Sequence, residues 1–432
     1  MNFNGKKVLI LGMGREGNTT LPYLLAKYPD AKITVADNGR PEGTALKDAG
    51  VISLFGKDYP TSLEEWDIVI VSPGIPPHDA LLQTAKPGQI TTATNVFLDE
   101  CKGRIVAVTG SKGKSTTASL IYAMLQAAEK KSCLVGNIGK AALGELLKHN
   151  EEGAIYVFEM SSAQAMRLTQ GPDVAVILNL FPEHMDYHGD EEAYYAAKIN
   201  LAKVQTEDQV LIHGPGVDAR LGDARGKRMT WEDVELVGTS FALKGAHNLE
   251  NMKAATKVAR ELDVSDEAIM EALASFSPLP HRLEFVGEVQ GIKFYNDSIS
   301  TTPQSTIAAL EAISPVGTLI LGGLDRGYDF SELGKVVVTK KVANVVLFPD
   351  SGANIKKALE GAGYEGKYFE VAETQDGAKA MLMEVGKWVY ENTPENTICL
   401  LSPASPSYNL FKDFEERGKA FQDAVKTFSQ FF

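Results

Sequence analysis

Two glycine-rich stretches hold the residues of this chain best suited to bind phosphate. In "RIVAVTGSKGKSTTASLIYAMLQAAEK" an apolar run leads into a loop, Gly110 to Thr116, and the loop into an amphipathic pattern. A strand, loop and helix in that order turn free backbone N–H groups towards an anion. Lys114 stands where a loop lysine reaches the terminal phosphates of ATP, and Ser115 where a hydroxyl reaches Mg²⁺. The loop is shorter than the common G-x-x-x-x-G-K pattern, which would need glycine where Val108 stands. The second stretch is "KKVLILGMGREGNT", in which Gly12, Gly14 and Gly17 form G-x-G-x-x-G behind an apolar run. Asp37 closes a further run, "KITVAD", at the spacing of about 20 residues that a dinucleotide fingerprint wants. Any diphosphate suits such a loop, so a nicotinamide cofactor and other nucleotides both remain open.

Three more residues invite a chemical reading. His184 and His188 are spaced i, i+4, which on a helix is metal-ligand spacing. A zinc pair needs a third ligand, and "NLFPEHMD" reads as loop, so His188 is expected to be a capping or surface residue. Lys198, in the helical pattern "DEEAYYAAKINLAK", reads by composition as a solvated surface charge.

The elements that must position these residues form an α/β protein. Short apolar runs alternate with helix-length segments: "KKVLILG", "KITVAD", "DIVIVSPG", "RIVAVTG", "AIYVFEM", "VAVILNL", "QVLIHG", "GTLILGG", "NVVLFPD" and "TICLLSP". Near-continuous apolar strands of this kind belong to parallel sheets covered on both faces. Breaks at the Thr-rich "TTATNVFLDECKGR" and at "SFSPLPHRLEF" divide the 432 residues into three domains, 1–94, 95–278 and 279–432. The net charge of −13 argues against non-specific binding to nucleic acid or to an anionic membrane surface. Cys101, Cys133 and Cys399 lie far apart, which indicates neither a disulfide framework nor a zinc cluster. With no signal-peptide pattern and no apolar run long enough to span a bilayer, the expectation is a cytoplasmic enzyme.

The short loop T-G-x-x-G-K-[ST]-T resembles the ATP loop of the Mur ligases, the amide-bond formers of peptidoglycan synthesis, and of the related folylpolyglutamate synthetases. Further segments fall in the order seen in the glutamate-adding branch of the Mur ligases: "GNIG", "FEMSSAQ", "LNLFPEHMDYH", "YYAAKINL", "KGAHNLENMKAA", "LPHRLEFV", "NDSISTTP", "GGLDRGYDF" and "LSPASPSYNLFKDFEERG". They span nearly the whole chain. The resemblance implies an N-terminal Rossmann-like domain, a central P-loop-type ATPase domain with a mostly parallel sheet, and a C-terminal Rossmann-like domain. It implies ATP-dependent addition of glutamate to UDP-N-acetylmuramoyl-L-alanine through an acyl phosphate, by a monomer that needs ATP and Mg²⁺ at two sites. The first loop would then hold a nucleotide-sugar diphosphate.

Residue by residue, the resemblance implies catalytic roles for Lys114, Glu159, His184 and Lys198, with Lys198 carbamylated by CO₂. Ser115, Glu159, His184 and Lys198 would stand at the metals. ATP would meet Gly110, Gly113, Lys114, Ser115, Thr116, Asn248, Asn251, Arg282 and Asp297. The nucleotide sugar would meet Gly14, Arg15, Glu16, Asp37, Asn38, Gly74, Asn137, Ser161 and Gln164, and glutamate would meet Thr301, Arg326, Ser407 and Phe414. The chain departs from the family pattern at Ile299 and Arg326, where lysines are usual, and at Lys112, where asparagine is. An arginine can hold a carboxylate bidentately, so an acidic amino acid remains the expected guest. D-glutamate is favoured, although a branch that adds L-glutamate ahead of an epimerase shares "GREG" and "DSISTTP". A folylpolyglutamate-synthetase-like ligase and a non-catalytic nucleotide-sugar binding protein are the remaining alternatives.

Overall fold

All ten of the apolar runs form strands, arranged in three sheets. The computed structural model describes residues 1–39, 50–236, 241, 243, 245–277, 279–372 and 378–428. Lys244, which opens one of the motifs, and Pro278, at a domain limit, lie outside them. Among the described residues the chain divides into two compact units, residues 1–241 with 250–276, and residues 242–249 with 277–432.

The first unit holds two sheets. β1 (Lys7–Leu11), β2 (Lys32–Asp37), β3 (Ile52–Phe55), β4 (Ile68–Val71) and β5 (Ile90–Thr91) are all parallel, in the order β3-β2-β1-β4-β5. Alternation along β1 sends Val8 and Ile10 into one apolar cluster and Leu9 and Leu11 into another, which is why the run is continuously hydrophobic. Each such fully buried aliphatic side chain contributes about 1.5–3 kcal/mol. The second sheet comprises β6 (Arg104–Thr109), β7 (Ser132–Gly136), β8 (Ile155–Glu159), β9 (Val174–Ile177), β10 (Val210–His213) and β11 (Lys227–Met229). Its order is β11-β10-β9-β6-β8-β7, again parallel. In both sheets the strand order reverses, beside β1 and beside β6, and in open parallel sheets ligands bind at the carboxyl ends of strands at such a reversal. The two glycine-rich loops leave the sheets at those two points.

The second unit contains β12 (Glu284–Val289), β13 (Ile292–Asn296), β14 (Val316–Gly322), β15 (Asn344–Phe348), β16 (Lys367–Glu370) and β17 (Ile398–Leu401), in the order β12-β13-β17-β14-β15-β16. Its edge pair, β12 with β13, is antiparallel, unlike the other neighbours. The two-residue turn between them, Gln290 and Gly291, takes positive φ at both positions, as a tight hairpin that matches strand twist requires.

Candidate active site

The first glycine-rich loop is built as a rigid wall. Gly12 has φ +94°, and a Cβ on Gly17 would stand 2.2 Å from the Gly12 carbonyl oxygen, so the helix Gly17–Lys27 packs directly on the turn. Asp37 Oδ2 accepts from Met13 N–H at 2.7 Å and Oδ1 from Gly39 N–H at 2.9 Å. The acid at the end of β2 thus braces the loop with both oxygens.

From this loop two adjacent side chains reach the central sheet. Arg15 donates to the carbonyl oxygens of Asn137, at 2.9 Å, and of Gly139. Glu16 Oε1 accepts from Gln164 Nε2 at 2.6 Å. Gln164 is held in turn by a capping box: its Oε1 accepts from Ser161 N–H, and Ser161 Oγ accepts from Gln164 N–H. Burial pushes the Glu16 carboxyl up, against the hydrogen bond from Gln164 and the charge of Arg15. Arg15, Glu16, Asn137, Ser161 and Gln164 line a cleft of about 310 Å³, together with Ser72, Gly74 and Phe158. Six of the residues expected at the nucleotide sugar therefore share one cleft: Arg15, Glu16, Gly74, Asn137, Ser161 and Gln164. Gly14, Asp37 and Asn38 are not in its lining.

The second loop lies at the carboxyl end of β6. Gly110 and Gly113 have φ +147° and +88°, and a Cβ on Gly113 would fall 2.3 Å from Asn251 Oδ1. The helix Lys114–Ala127 starts directly behind, with Ser115 and Thr116 buried in its first turn. Lys114 Nζ folds back to donate to the carbonyl oxygens of Gly110, at 2.9 Å, and Ser111, at 2.8 Å. Its charge sits over the loop itself.

Glu159 ends β8 beside this loop and is 1% exposed. Its Oε1 accepts from Asn137 Nδ2 at 3.2 Å, and among the described residues nothing hydrogen-bonds its buried Oε2. An orphaned buried carboxylate oxygen is costly unless a cation or donor meets it. Ser115, Glu159 and the phosphates of a nucleotide would make the all-oxygen set that Mg²⁺ prefers.

Lys198 is not the surface charge that its composition suggests. It is 1% exposed, its Nζ donates to Gly110 O at 2.8 Å and lies 4.8 Å from the centre of the Tyr194 ring. Burial, with the nearby positive charge of Lys114, drives its pKa well below that of an ordinary lysine, while Glu183 and Glu159 oppose the shift. His188 is also corrected: it is 7% exposed, Nε2 lies 2.9 Å from Ser162 Oγ, and its ring packs edge-on against Tyr194. Its hydrogen-bond partner comes from a distant segment, which a local reading could not see. His184 is exposed, at φ +57°, with its ring 6.2 Å from that of Tyr194. Among the described residues no three His, Cys, Asp or Glu side chains form a metal-binding group.

Asn248 and Asn251 are buried on the helix Ala246–Glu261, and Asn251 Oδ1 accepts from Thr117 Oγ1 at 3.4 Å. In the second unit Asp297 is buried, with Oδ1 accepting from Leu283 N–H at 3.1 Å and Oδ2 from Ser402 Oγ at 2.7 Å. Burial raises its pKa to about 6, against hydrogen bonds from Ser300 and Ser402 and the charge of Arg282. Arg417, which no sequence argument singled out, is 1% exposed and donates to Ser298 Oγ, Ser298 O and Ser405 O at 3.0, 2.8 and 3.0 Å. It joins the loop after β13 to the loop after β17. Ser407 lies buried in the second of these loops, and Phe414 O accepts from Ser298 Oγ at 2.8 Å. Thr301 is half-buried and Arg326 exposed. An arginine at the start of a charged helix gives no local sign of burial; only its place in the "FKDFEERG" motif could have marked it.

Family models match three successive stretches of the chain. These are the N-terminal domain of MurD-like Mur ligases over residues 6–93, the Mur ligase middle domain over 108–218 and the Mur ligase glutamate ligase domain over 281–390. A UDP-N-acetylmuramoylalanine–D-glutamate ligase of Bacillus mycoides is 35% identical over 458 aligned positions, covering 98% of each chain. One of Streptococcus agalactiae is 32% identical over the same length and coverage. The solved structure of a UDP-N-acetylmuramate–alanine ligase from Thermotoga maritima shares the fold with a TM-score of 0.59 at 19% identity, over 98% of this chain and 99% of that one. A MurF ligase from the same organism, solved with ADP, gives 0.60 at 16% identity over 91% and 95%.

Proposed function

The chain belongs to the Mur ligase family, and from that premise we propose that it is an ATP-dependent ligase joining D-glutamate to UDP-N-acetylmuramoyl-L-alanine, in the cytoplasmic synthesis of peptidoglycan precursors. The observation that carries this reading is the double engagement of Asn137. Its carbonyl receives Arg15 at the lip of the cleft, and its amide donates to Glu159 beside the phosphate loop. A nucleotide sugar in the cleft would thus lie one residue away from the groups that meet ATP.

In this mechanism the alanyl carboxylate attacks the γ-phosphorus, the bond to ADP breaks, and the amine of glutamate then displaces phosphate from the acyl carbon. Charge accumulates on the phosphoryl oxygens, and fixed cations stabilise it. Lys114 supplies one, already turned over the loop. Mg²⁺, when bound, supplies further positive charge there, and Ser115 and the free oxygen of Glu159 would hold it; His184 would have to turn inward to join a second site. Lys198 is the candidate for carbamylation. Burial favours loss of one proton from its ammonium, the lone pair so exposed can bond to the carbon of CO₂, and a second proton leaves the nitrogen, so that a cation becomes an anion beside the loop.

The test is phosphate release with ATP, Mg²⁺ and UDP-N-acetylmuramoyl-L-alanine, run with D- and with L-glutamate. Release with D-glutamate alone is expected. Release with L-glutamate alone would reassign the stereochemistry, and release with neither, while the nucleotide sugar still binds, would leave a binding protein.

A further inference from the structure

Lys112 lies in the phosphate loop between Gly110 and Lys114, and it forms an ion pair with Glu183. The backbone around it is fixed on both sides. Lys112 N–H donates to Asn179 Oδ1 at 2.8 Å, and Asn179 Nδ2 donates back to Lys112 O at 3.0 Å. Ser111 N–H donates to Asn179 O at 2.9 Å, and Ser111 Oγ both donates to Phe181 O and accepts from Phe181 N–H, at 2.8 Å each. The loop and the segment 179–183 are therefore stitched together, and the Lys112 stem starts from a fixed point. Its side chain keeps 42% of its surface in solvent, against 15% for Glu183. The Lys112 charge is also felt at Lys198, along with those of Lys114, Glu159 and Glu183, and both Lys114 and Lys198 donate to Gly110 O.

An ion pair this open to water holds weakly, whereas the oxygens of a triphosphate offer several anionic acceptors at once. We propose that Lys112 is a second nucleotide-binding lysine, held over the phosphate loop by Glu183 until the phosphates of the nucleotide take it. The inference rests on ATP being the nucleotide of this loop, and it names a residue at which the chain differs from the asparagine usual in the family.

The experiment is calorimetric titration of ATP into the full chain, without nucleotide sugar or glutamate, so that no turnover enters. Lys112→Asn is expected to weaken ATP binding about tenfold and to flatten its dependence on salt, as loss of one charge-assisted phosphate contact would. Lys112→Arg should bind within about twofold of the native chain, and Glu183→Gln, which releases the lysine, should bind ATP as well or tighter. Thermal melts of each variant separate lost binding from lost folding, and if Lys112→Asn fails to fold, Lys112→Gln takes its place, with the same loss of ATP binding expected. Native-like affinity in Lys112→Asn, or a loss in Glu183→Gln as large as in Lys112→Asn, would overturn the proposal and make the pair a brace for the loop. Failure of the unaltered chain to bind ATP would overturn the ligase reading with it.

Discussion

Lys198 Nζ donates to Gly110 O at 2.8 Å, so a lysine in the middle of the helix Glu191–Lys203 is fastened to the first glycine of the phosphate loop. The same contact places an amine of depressed basicity where a nucleotide would arrive. The fold thereby gives chemical meaning to a residue that composition alone would leave in water.

Lys198→Ala is expected to lower kcat by about 10²–10³, the usual scale for loss of one preorganised electrostatic group. Small carboxylates such as formate or acetate should restore part of the activity. A carbamate signal from ¹³C-labelled bicarbonate should be present in the native protein and missing in the variant. Native activity in Lys198→Ala would remove the residue from the mechanism.

Gly113→Ala should damage the ATP site through the loop backbone and through Asn251, whose side chain the added Cβ would displace. The added Cβ meets Asn251 Oδ1 at 2.3 Å, and the φ of +88° strains any residue but glycine by about 1–2 kcal/mol. ATP affinity is expected to fall at least tenfold. An ATP titration in which the single variant equals the native chain would refute the assignment.

Asp297 sets a pH dependence with a definite sign. Its folded pKa, about 6, is raised from 3.8, so the stability linked to it is fully present below about pH 4 and is lost as pH rises through about 6. A shift of this size corresponds to roughly 3 kcal/mol. Asp297→Asn keeps an acceptor for Leu283 N–H, offers Ser402 Oγ a donor in place of an acceptor, and cannot ionise. Melting temperatures measured from pH 3.5 to 7 should therefore show the native chain losing ground to the variant between pH 4 and 6. A constant difference across that range would show that Asp297 does not titrate there.

The strands and both phosphate loops were legible because apolar continuity and glycine spacing are local signals. β11, with Lys227 and Arg228 along it, carries too few apolar residues for such a signal, and β12 pairs antiparallel at an edge where one face meets water. Within the candidate site, Lys114 announces itself by its place behind a glycine-rich loop, whereas Glu159, at the end of β8, was named by the resemblance. Asp37 also stands where the fingerprint puts it, yet its oxygens are engaged by Met13 and Gly39, since what an acid bonds to is decided by loop geometry and not by spacing. Arg417, His188 and the burial of Lys198 depend on partners that lie far away in the chain: Ser298, Ser162 and Gly110. Periodicity cannot name such partners; the resemblance to a family gave Lys198 a role without naming Gly110.

The grip of Arg15 and Glu16 on the central sheet bears on how relatives of this protein can be recombined. A chimera that takes its first sheet from another family member would bring a foreign loop to the turn Asn137–Gly139 and to the Ser161–Gln164 cap. Exchange at the connector before β6 would then separate two halves of one cleft wall, although the cut falls between sheets. The inheritable cassette is larger than a domain: residues 1–94 travel with Asn137, Gly139 and Gln164, or the cleft is rebuilt from mismatched sides.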